Sequence, residues 1–170
     1  MEISMNRILL VMSLFVVASF ASAAEGFKNG IGEKVMTNDT MSATNATAQD
    51  FLSKISQESG VVKTDSGLMY KVLSAGTGAS PTASSQVEVN YEGKLTTGKV
   101  FDSSYQRGST ATFGVSEVIA GWTEALQLMK TGSTWELYIP SNLAYGARGI
   151  PGVIPGDSTL IFKVDLIAIK

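Results

Sequence analysis

Few side chains in this 170-residue sequence can perform acid, base or nucleophilic chemistry, because it contains no His and no Cys. Disulfides, thiolate nucleophiles, imidazole proton shuttles and zinc sites built on either side chain are therefore excluded. Ser103, Ser104 and Ser141 have no basic partner and are interpreted as turn residues, which excludes most hydrolase triads. Any catalysis must depend on carboxylates, hydroxyls, backbone amides or an apolar pocket.

Two polar side chains remain as candidates for a site. Asp102 precedes a pair of serines, so it could either cap a turn or contribute to a functional site. Tyr145 lies in a loop among Ala and Gly residues, where a large aromatic side chain has little local purpose, and a functional role is preferred. Gly146, Gly149 and Gly152 follow no Rossmann-type strand and open no helix, so they do not predict a phosphate site.

The charge balance argues against a nucleic-acid partner. There are 13 Lys and Arg residues against 15 Asp and Glu residues, a net charge of -2 with no basic field to attract phosphates. With 44% hydrophobic residues, the chain can form one core of ordinary size but not comfortably two. One compact domain is expected.

The N-terminus has the pattern of a signal peptide. Arg7 precedes the apolar run 8–20, and Ala21-Ser22-Ala23 forms a small-x-small cleavage site. The run is too short to span roughly 30 Å of hydrocarbon, so a stable membrane anchor is not expected. The sequence predicts a signal peptide over 1–23 and export, to the periplasm of a Gram-negative bacterium or otherwise by secretion.

Residues 24–60 are small and polar, with too few large apolar side chains to offset the entropy of ordering. They are predicted to form a flexible tether. Within it, Phe51, Leu52 and Ile55 have helical spacing, which predicts a short helix over 49–55 that either packs on the domain or frays beside it.

The elements that must position Asp102 and Tyr145 follow from the hydrophobic period. From Leu68 onward the period is two, and in 87–95 it places Val87, Val89 and Tyr91 on one face with polar residues on the other. Further short strands are predicted over 99–103, 111–115, 135–139 and 160–166. One apolar face and one solvated face are typical of an antiparallel sheet.

One segment has helical period instead. Trp122, Ala125, Leu126 and Met129 are spaced i, i+3, i+4 and i+7, and Gly132 ends the segment as a helix C-terminal glycine does. No alternation of strand and helix exists to build parallel crossovers. The sequence therefore predicts an α+β domain over 61–170, a curved antiparallel β-sheet of about five strands wrapped on one amphipathic α-helix.

Five stretches in this order resemble the FKBP-type peptidyl-prolyl cis-trans isomerases. They are Val89-Asn90-Tyr91-Glu92-Gly93, Phe101-Asp102-Ser103-Ser104, Val118-Ile119-Ala120-Gly121-Trp122, Leu143-Ala144-Tyr145-Gly146 and Thr159-Leu160-Ile161-Phe162. The stretches 126–129, 132–136 and 143–146 are most similar to the macrophage infectivity potentiator branch of bacterial exported members. The resemblance implies an FKBP-like fold, in agreement with the fold class predicted from the hydrophobic period.

The resemblance also implies a site. The residues in contact with a substrate proline and its flanking peptide would be Tyr91, Phe101, Asp102, Ile119, Trp122, Tyr145 and Phe162, with Ala111, Val118, Ile150, Val153 and Ile154 as further substrate-binding residues. Trp122 would form the floor, and Ile119 would offer its backbone N–H to a substrate carbonyl. Two positions depart from the family pattern, since Ala111 stands where many members have an aromatic residue and Ile150 where a His is frequent.

The implied activity is acceleration of X-Pro isomerisation during the folding of exported proteins, a rotamase reaction that needs no cofactor or metal. The barrier of about 18–20 kcal/mol arises from amide resonance, so an apolar pocket can lower it without a nucleophile or base. The implied partners are proline-containing unfolded or folding polypeptides and macrolide inhibitors of the tacrolimus and rapamycin type. A monomer is expected, because the tether is shorter than the dimerisation region of the infectivity-potentiator branch.

Two other functions are compatible with parts of the sequence. A binding module or holdase chaperone would use the same pocket to hold apolar segments without turnover. A hydrolase acting through paired carboxylates would need two of them to converge in one cleft, and no second carboxylate is indicated beside Asp102.

Overall fold

The computed structural model describes the backbone of residues 38–170 and the side chains of residues 47–170. The predicted signal peptide and the first part of the predicted tether lie outside the described residues. The helices and strands in chain order are α1 (Asn38–Ile55), β1 (Val61–Lys63), β2 (Met69–Ser74), β3 (Gln86–Leu95), β4 (Val100–Ser103), α2 (Ser104–Arg107), β5 (Ala111–Gly114), α3 (Ala120–Leu128), β6 (Thr134–Ile139) and β7 (Leu160–Ile169). Short 3₁₀ turns occupy Val115–Glu117, Ser141–Leu143 and Gly146–Arg148.

The strands of the described residues form one seven-stranded sheet in the order β1-β2-β6-β7-β3-β4, with β5 also paired to β3. The pairs are antiparallel, and long β3 and β7 run along each other from Val87 opposite Ile169 to Leu95 opposite Leu160. The predicted α+β class with a curved antiparallel sheet is confirmed. The sheet has more strands than the sequence predicts, since three-residue β1 is too short to show a period.

The inner face of the sheet and α3 form the main core, as predicted. Alternate residues of β3 point inward and are buried, and α3 places Trp122, Ala125 and Leu126 against them. Close approach of helix and sheet requires a glycine, because a Cβ on Gly121 would lie 2.5 Å from Cγ2 of Ile139.

The outer face of the sheet is not wholly solvated, which corrects the sequence prediction. Met69, Tyr138 and Ile161 occupy neighbouring outward positions on β2, β6 and β7, and each is buried. Helix α1 covers them with its partly buried Phe51 and Leu52 and its buried Ile55, and the rings of Phe51 and Tyr138 are 6.3 Å apart.

Residues 38–48 are helical, whereas the sequence predicts a flexible tether before a short helix over 49–55. These residues are mainly Asn, Thr, Ser and Ala and show no apolar period, so no local signal marks the earlier start of the helix. No helix in residues 38–170 is long and apolar enough to cross a membrane.

Candidate active site

An aromatic cluster surrounds Trp122, which lies at the start of α3 with 0% of its surface exposed. We call this cluster, with its partly buried rim, the candidate pocket. Its ring meets Tyr91 at 5.4 Å and 87°, Phe113 at 6.0 Å and 90°, and Phe162 at 5.3 Å and 84° between centroids and planes. Phe101 stands edge-on to Phe162 at 5.6 Å. Such perpendicular arrangements are the favoured geometry for aromatic rings, so the walls hold one another in fixed orientations.

The structure gathers the predicted apolar site residues into this one cluster. The buried members are Tyr91, Phe101, Ala111, Trp122, Ile154 and Phe162, and the partly buried members are Val118, Ile119, Tyr145, Ile150 and Val153. The buried residues therefore form the floor and walls, while the partly buried residues lie where the cluster meets solvent.

Phe113 is a wall residue that the resemblance did not single out. It follows Ala111 by two positions on β5, so both side chains point to the same face of the strand. It lies 5.9 Å from the ring of Tyr91 as well as beside Trp122. The period-two alternation of 111–115 was the sequence signal that could have placed it in the pocket.

Gly93 of β3 lies directly against the pocket rings. A Cβ there would be 2.5 Å from Cε1 of Phe162 and 2.7 Å from Cζ of Phe101. Real Cβ atoms do not approach so closely, so both rings depend on the absence of a side chain at this position.

Replacing Gly93 by alanine is expected to displace Phe101 and Phe162 and to lower the free energy of unfolding by about 1–3 kcal/mol, the usual cost of overpacking. The measurement is denaturant unfolding together with binding of a prolyl peptide, which should weaken in parallel. Shortening one ring in Gly93→Ala/Phe101→Leu should recover part of the lost stability. An unchanged free energy of unfolding in the single variant would contradict the tight contact.

Asp102 lies beside the pocket and is 2% exposed. It accepts a hydrogen bond of 2.6 Å from the hydroxyl of Tyr91 and a second from the guanidinium of Arg107, with which it forms an ion pair. Arg107 also donates to the Tyr91 hydroxyl at 2.9 Å, and its Cζ lies 5.4 Å from the Tyr91 ring centroid. The three groups form a closed polar network at one side of the aromatic walls.

The turn-capping role considered for Asp102 belongs instead to its neighbour. Ser103 is the N-cap of α2, and its hydroxyl accepts the backbone N–H of Gln106 at 3.3 Å. Helix α2, which the sequence did not predict, ends at Arg107 and is capped by Gly108, whose φ is 69°. Its last residue, Arg107, lies over the ring of Tyr91. A four-residue helix has no hydrophobic period, so Arg107 was missed.

The phenols of Tyr91 and Tyr145 are held in their neutral form. Burial raises the pKa of Tyr91, and its hydrogen bond to Asp102 raises that pKa further, although the bond from Arg107 opposes the change. Burial and the negative charge of Asp102 raise the pKa of Tyr145. Both groups can therefore act as hydrogen-bond donors across the neutral pH range.

These shifts predict a loss of stability in alkali. A raised pKa in the folded state contributes stability that is fully present below the unfolded value of about 10 and is lost as pH rises through the folded value. The free energy of unfolding, measured by denaturant titration from about pH 9 to 11, should therefore fall at the upper end. The fall should be shallower in Tyr91→Phe, and identical slopes would contradict the assigned environment of Tyr91.

Ile119 is the residue immediately before α3. Its carbonyl accepts the backbone N–H groups of Trp122 at 2.9 Å and Thr123 at 3.0 Å. Its own N–H precedes the helix, where α-helical geometry supplies no intrahelical acceptor. The position is therefore suited to offer an amide to a bound peptide carbonyl.

The loop after Tyr145 packs its apolar side chains on the aromatic cluster. Ile150 and Ile154 exchange two backbone hydrogen bonds of 2.8 Å, and the N–H of Asp157 donates to the carbonyl of Gly146 at 2.9 Å. Gly149 has φ of 59°, and a Cβ there would lie 2.2 Å from the carbonyl oxygen of Ile154. These bonds hold the loop in a defined shape against the pocket.

The fold and the site indicate which kind of ligand and reaction the domain can support. An aromatic pocket with hydrogen-bond donors at its edge can bind an uncharged ring-sized side chain and the peptide beside it. The polar groups described here do not activate a nucleophile, since the raised pKa of Tyr91 keeps its phenol neutral and the Ser104 hydroxyl donates to an amide oxygen of Asn90, which is not a base. The site is suited to a conformational reaction of a peptide.

Comparison with known proteins agrees with this kind of reaction. A family model described as FKBP-type peptidyl-prolyl cis-trans isomerase matches residues 78–167, and a model of the domain amino terminal to it matches residues 17–72. The chain belongs to the FKBP-type peptidyl-prolyl cis-trans isomerase family.

Named relatives include bacterial peptidyl-prolyl cis-trans isomerases. The peptidyl-prolyl cis-trans isomerase Mip of Coxiella burnetii is 55% identical over 120 residues, which are 71% of this chain and 52% of the relative. The FKBP-type 22 kDa isomerase of Escherichia coli is 50% identical over 119 residues, which are 70% of this chain and 58% of the relative. The chain spans about half the length of the curated relatives it matches.

Solved structures show the same fold. A peptidyl-prolyl cis-trans isomerase of Pseudomonas syringae superposes with a TM-score of 0.74 at 38% identity, covering 79% of this chain and 98% of that one. FkpA of Escherichia coli also gives 0.74, at 43% identity, covering 77% of this chain and 61% of that one.

Proposed function

We propose that the chain is a peptidyl-prolyl cis-trans isomerase that accelerates X-Pro isomerisation in exported polypeptides as they fold. The observation that carries the proposal is the pocket around Trp122, whose rings of Tyr91, Phe113 and Phe162 stand perpendicular to it. It would offer a pyrrolidine ring apolar walls on several sides. Membership of the isomerase family supports the same activity.

The mechanism follows from the bond that must rotate. A planar X-Pro amide has separated charge, and the twisted amide has less, so an apolar environment favours the twisted state over the planar one. Trp122, Phe101 and Phe162 supply that environment. Ile119 would donate its backbone N–H to a substrate carbonyl, and the neutral Tyr145 hydroxyl and the network of Asp102 would contact the flanking peptide.

Substrate choice would depend on the edge of the pocket. Ala111 is small, and Ile150, Val153 and Ile154 add apolar surface from the loop. An apolar residue before proline would therefore be preferred over a charged one. Macrolide inhibitors of the tacrolimus and rapamycin type would bind in the same pocket, with an affinity set by these positions.

The proposal extends to the organisation of the chain. Residues 1–23 would be the signal peptide and 61–170 the isomerase domain, on which α1 packs. The protein would act as a monomer in the periplasm or outside the cell. The burial of Met69, Tyr138 and Ile161 beneath α1 supports including this helix in the folded unit. A relative from Legionella longbeachae bears the name outer membrane protein MIP, which is compatible with export.

The test is the rate of cis-to-trans conversion in short peptides of sequence X-Pro, with and without the purified chain at micromolar concentration. Acceleration is expected, and it should be greater when X is Leu or Phe than when X is Glu. Binding of the same peptides without acceleration would replace the isomerase by the holdase alternative. Equal acceleration for all X would contradict the role given to the loop residues.

A further inference from the structure

Strand β3 changes partners on one of its edges beside the site. Gln86, Val87, Glu88 and Val89 pair with β5, and Glu92, Gly93 and Lys94 pair with β4. Asn90 and Tyr91 have no strand partner on that edge within the described residues, although β7 pairs with both on the other edge. The sheet therefore splits beside the residue whose phenol lines the pocket.

A side chain fills the split. The backbone N–H of Tyr91 donates to Oγ of Ser104 at 2.8 Å, and the Ser104 hydroxyl donates in turn to Oδ1 of Asn90 at 3.0 Å. Ser104 is 0% exposed and is the first residue of α2. Its hydroxyl thus takes the place of the strand carbonyl that the Tyr91 amide would otherwise need.

The segment held by this bond is the one that carries the polar network. Asp102 and Arg107 lie on either side of Ser104 in the chain, and both bind the hydroxyl of Tyr91. The main chain and the phenol of Tyr91 are therefore fixed to the same six-residue segment, 102–107. A shift of Tyr91 relative to that segment would break both connections together.

We propose that Ser104 is a positioning residue of the site, whose hydroxyl bridges the split in the sheet and sets the Tyr91 phenol against Asp102 and Arg107. The inference rests on the proposed isomerase function and gives it a residue that acts without touching substrate. The sequence suggested that Ser104 is a turn residue. The structure gives its hydroxyl hydrogen bonds to both Tyr91 and Asn90.

The experiment compares Ser104→Ala with Ser133→Ala. Ser133 is the matched control, because it is 2% exposed and its Oγ has no hydrogen-bond partner among the described residues. Ser104→Ala should lower kcat/KM per folded molecule about five- to tenfold, the factor that one lost hydrogen bond corresponds to. Ser133→Ala should change it less than about twofold.

A double-mutant cycle with Tyr91→Phe separates positioning from general destabilisation. In the Tyr91→Phe chain the phenol is already absent, so adding Ser104→Ala should cost less than about twofold. Ser104→Thr, which keeps the hydroxyl, should retain most of the activity if the added methyl group fits. Additive losses in the cycle would overturn the proposal whether or not Ser104→Thr folds.

A readout independent of turnover distinguishes this inference from the proposed function. In Ser104→Ala, amide exchange at Tyr91 should accelerate and the NMR signals of the Tyr91 ring should shift, whereas Ser133→Ala should leave both unchanged. If the unmodified chain has no isomerase activity, the proposed function fails and these signals still test the bridge. Unchanged Tyr91 signals in Ser104→Ala would overturn the bridge itself.

Discussion

Replacing Trp122 by leucine is expected to reduce kcat/KM for an X-Pro peptide by at least about tenfold, with a loss near 100-fold for alanine. The ring lies against Tyr91, Phe113 and Phe162 at right angles, so its removal takes away the floor and leaves those walls without support. The same change should lower the free energy of unfolding, by about 3–5 kcal/mol for alanine. Leucine retains part of the buried volume and serves to keep the domain folded during the assay.

The chain supplies its own control, since its only other tryptophan is Trp135. That residue is 7% exposed and stacks on Tyr70 at 4.2 Å and 12°, on β6 and β2. Trp135→Leu should destabilise the domain while changing kcat/KM per folded molecule less than about twofold. Equal losses of activity in the two variants would show that the aromatic pocket is not the source of catalysis.

Replacing Ile55 by aspartate is expected to detach α1 from the outer face of the sheet. Ile55 is buried beside Met69, Tyr138 and Ile161, where a carboxylate would meet no basic side chain among the residues that form this cluster. Burial of an unpaired charge is costly, so the free energy of unfolding should fall by about 2–4 kcal/mol. Isomerase activity per folded molecule should persist, because the pocket is on the inner face.

The control for this change is Ser53→Asp, which introduces the same charge at an exposed position of the same helix. It should change the free energy of unfolding less than about 0.5 kcal/mol. Binding of a fluorescent apolar dye should rise in Ile55→Asp and not in Ser53→Asp, since Met69 and Tyr138 would become exposed. Equal stability of the two variants would contradict the docking of α1.

The strands and the main helix could be predicted because their signals are local. Val87, Val89 and Tyr91 alternate with polar neighbours along one strand, and Trp122 and Ala125 are spaced as one face of a helix, so a short window is enough to read either. The apolar site residues followed from motifs in which they stand close together. Phe113 could have been added from the alternation of β5 alone.

The remaining features depend on partners distant in the chain. Arg107 donates to the Tyr91 hydroxyl from a four-residue helix that has no hydrophobic period. Ser104 binds the Tyr91 amide because β3 changes its partner from β5 to β4 beside that residue. Met69, Tyr138 and Ile161 occupy outward positions that a two-faced sheet would leave in solvent, and their packing against α1 and Val61 explains their apolar character. Contacts of this kind arise from topology, which single-sequence patterns do not encode.

The most direct measurement is exchange NMR on a short Leu-Pro peptide at equilibrium, where the cis and trans resonances are both observed. Uncatalysed interconversion takes tens to hundreds of seconds, too slow to produce exchange cross-peaks. With the unmodified chain at micromolar concentration, cross-peaks should connect the two forms, and Trp122→Leu should remove them while Trp135→Leu retains them. Absence of cross-peaks with the unmodified, folded chain would contradict catalysed rotation about the X-Pro bond.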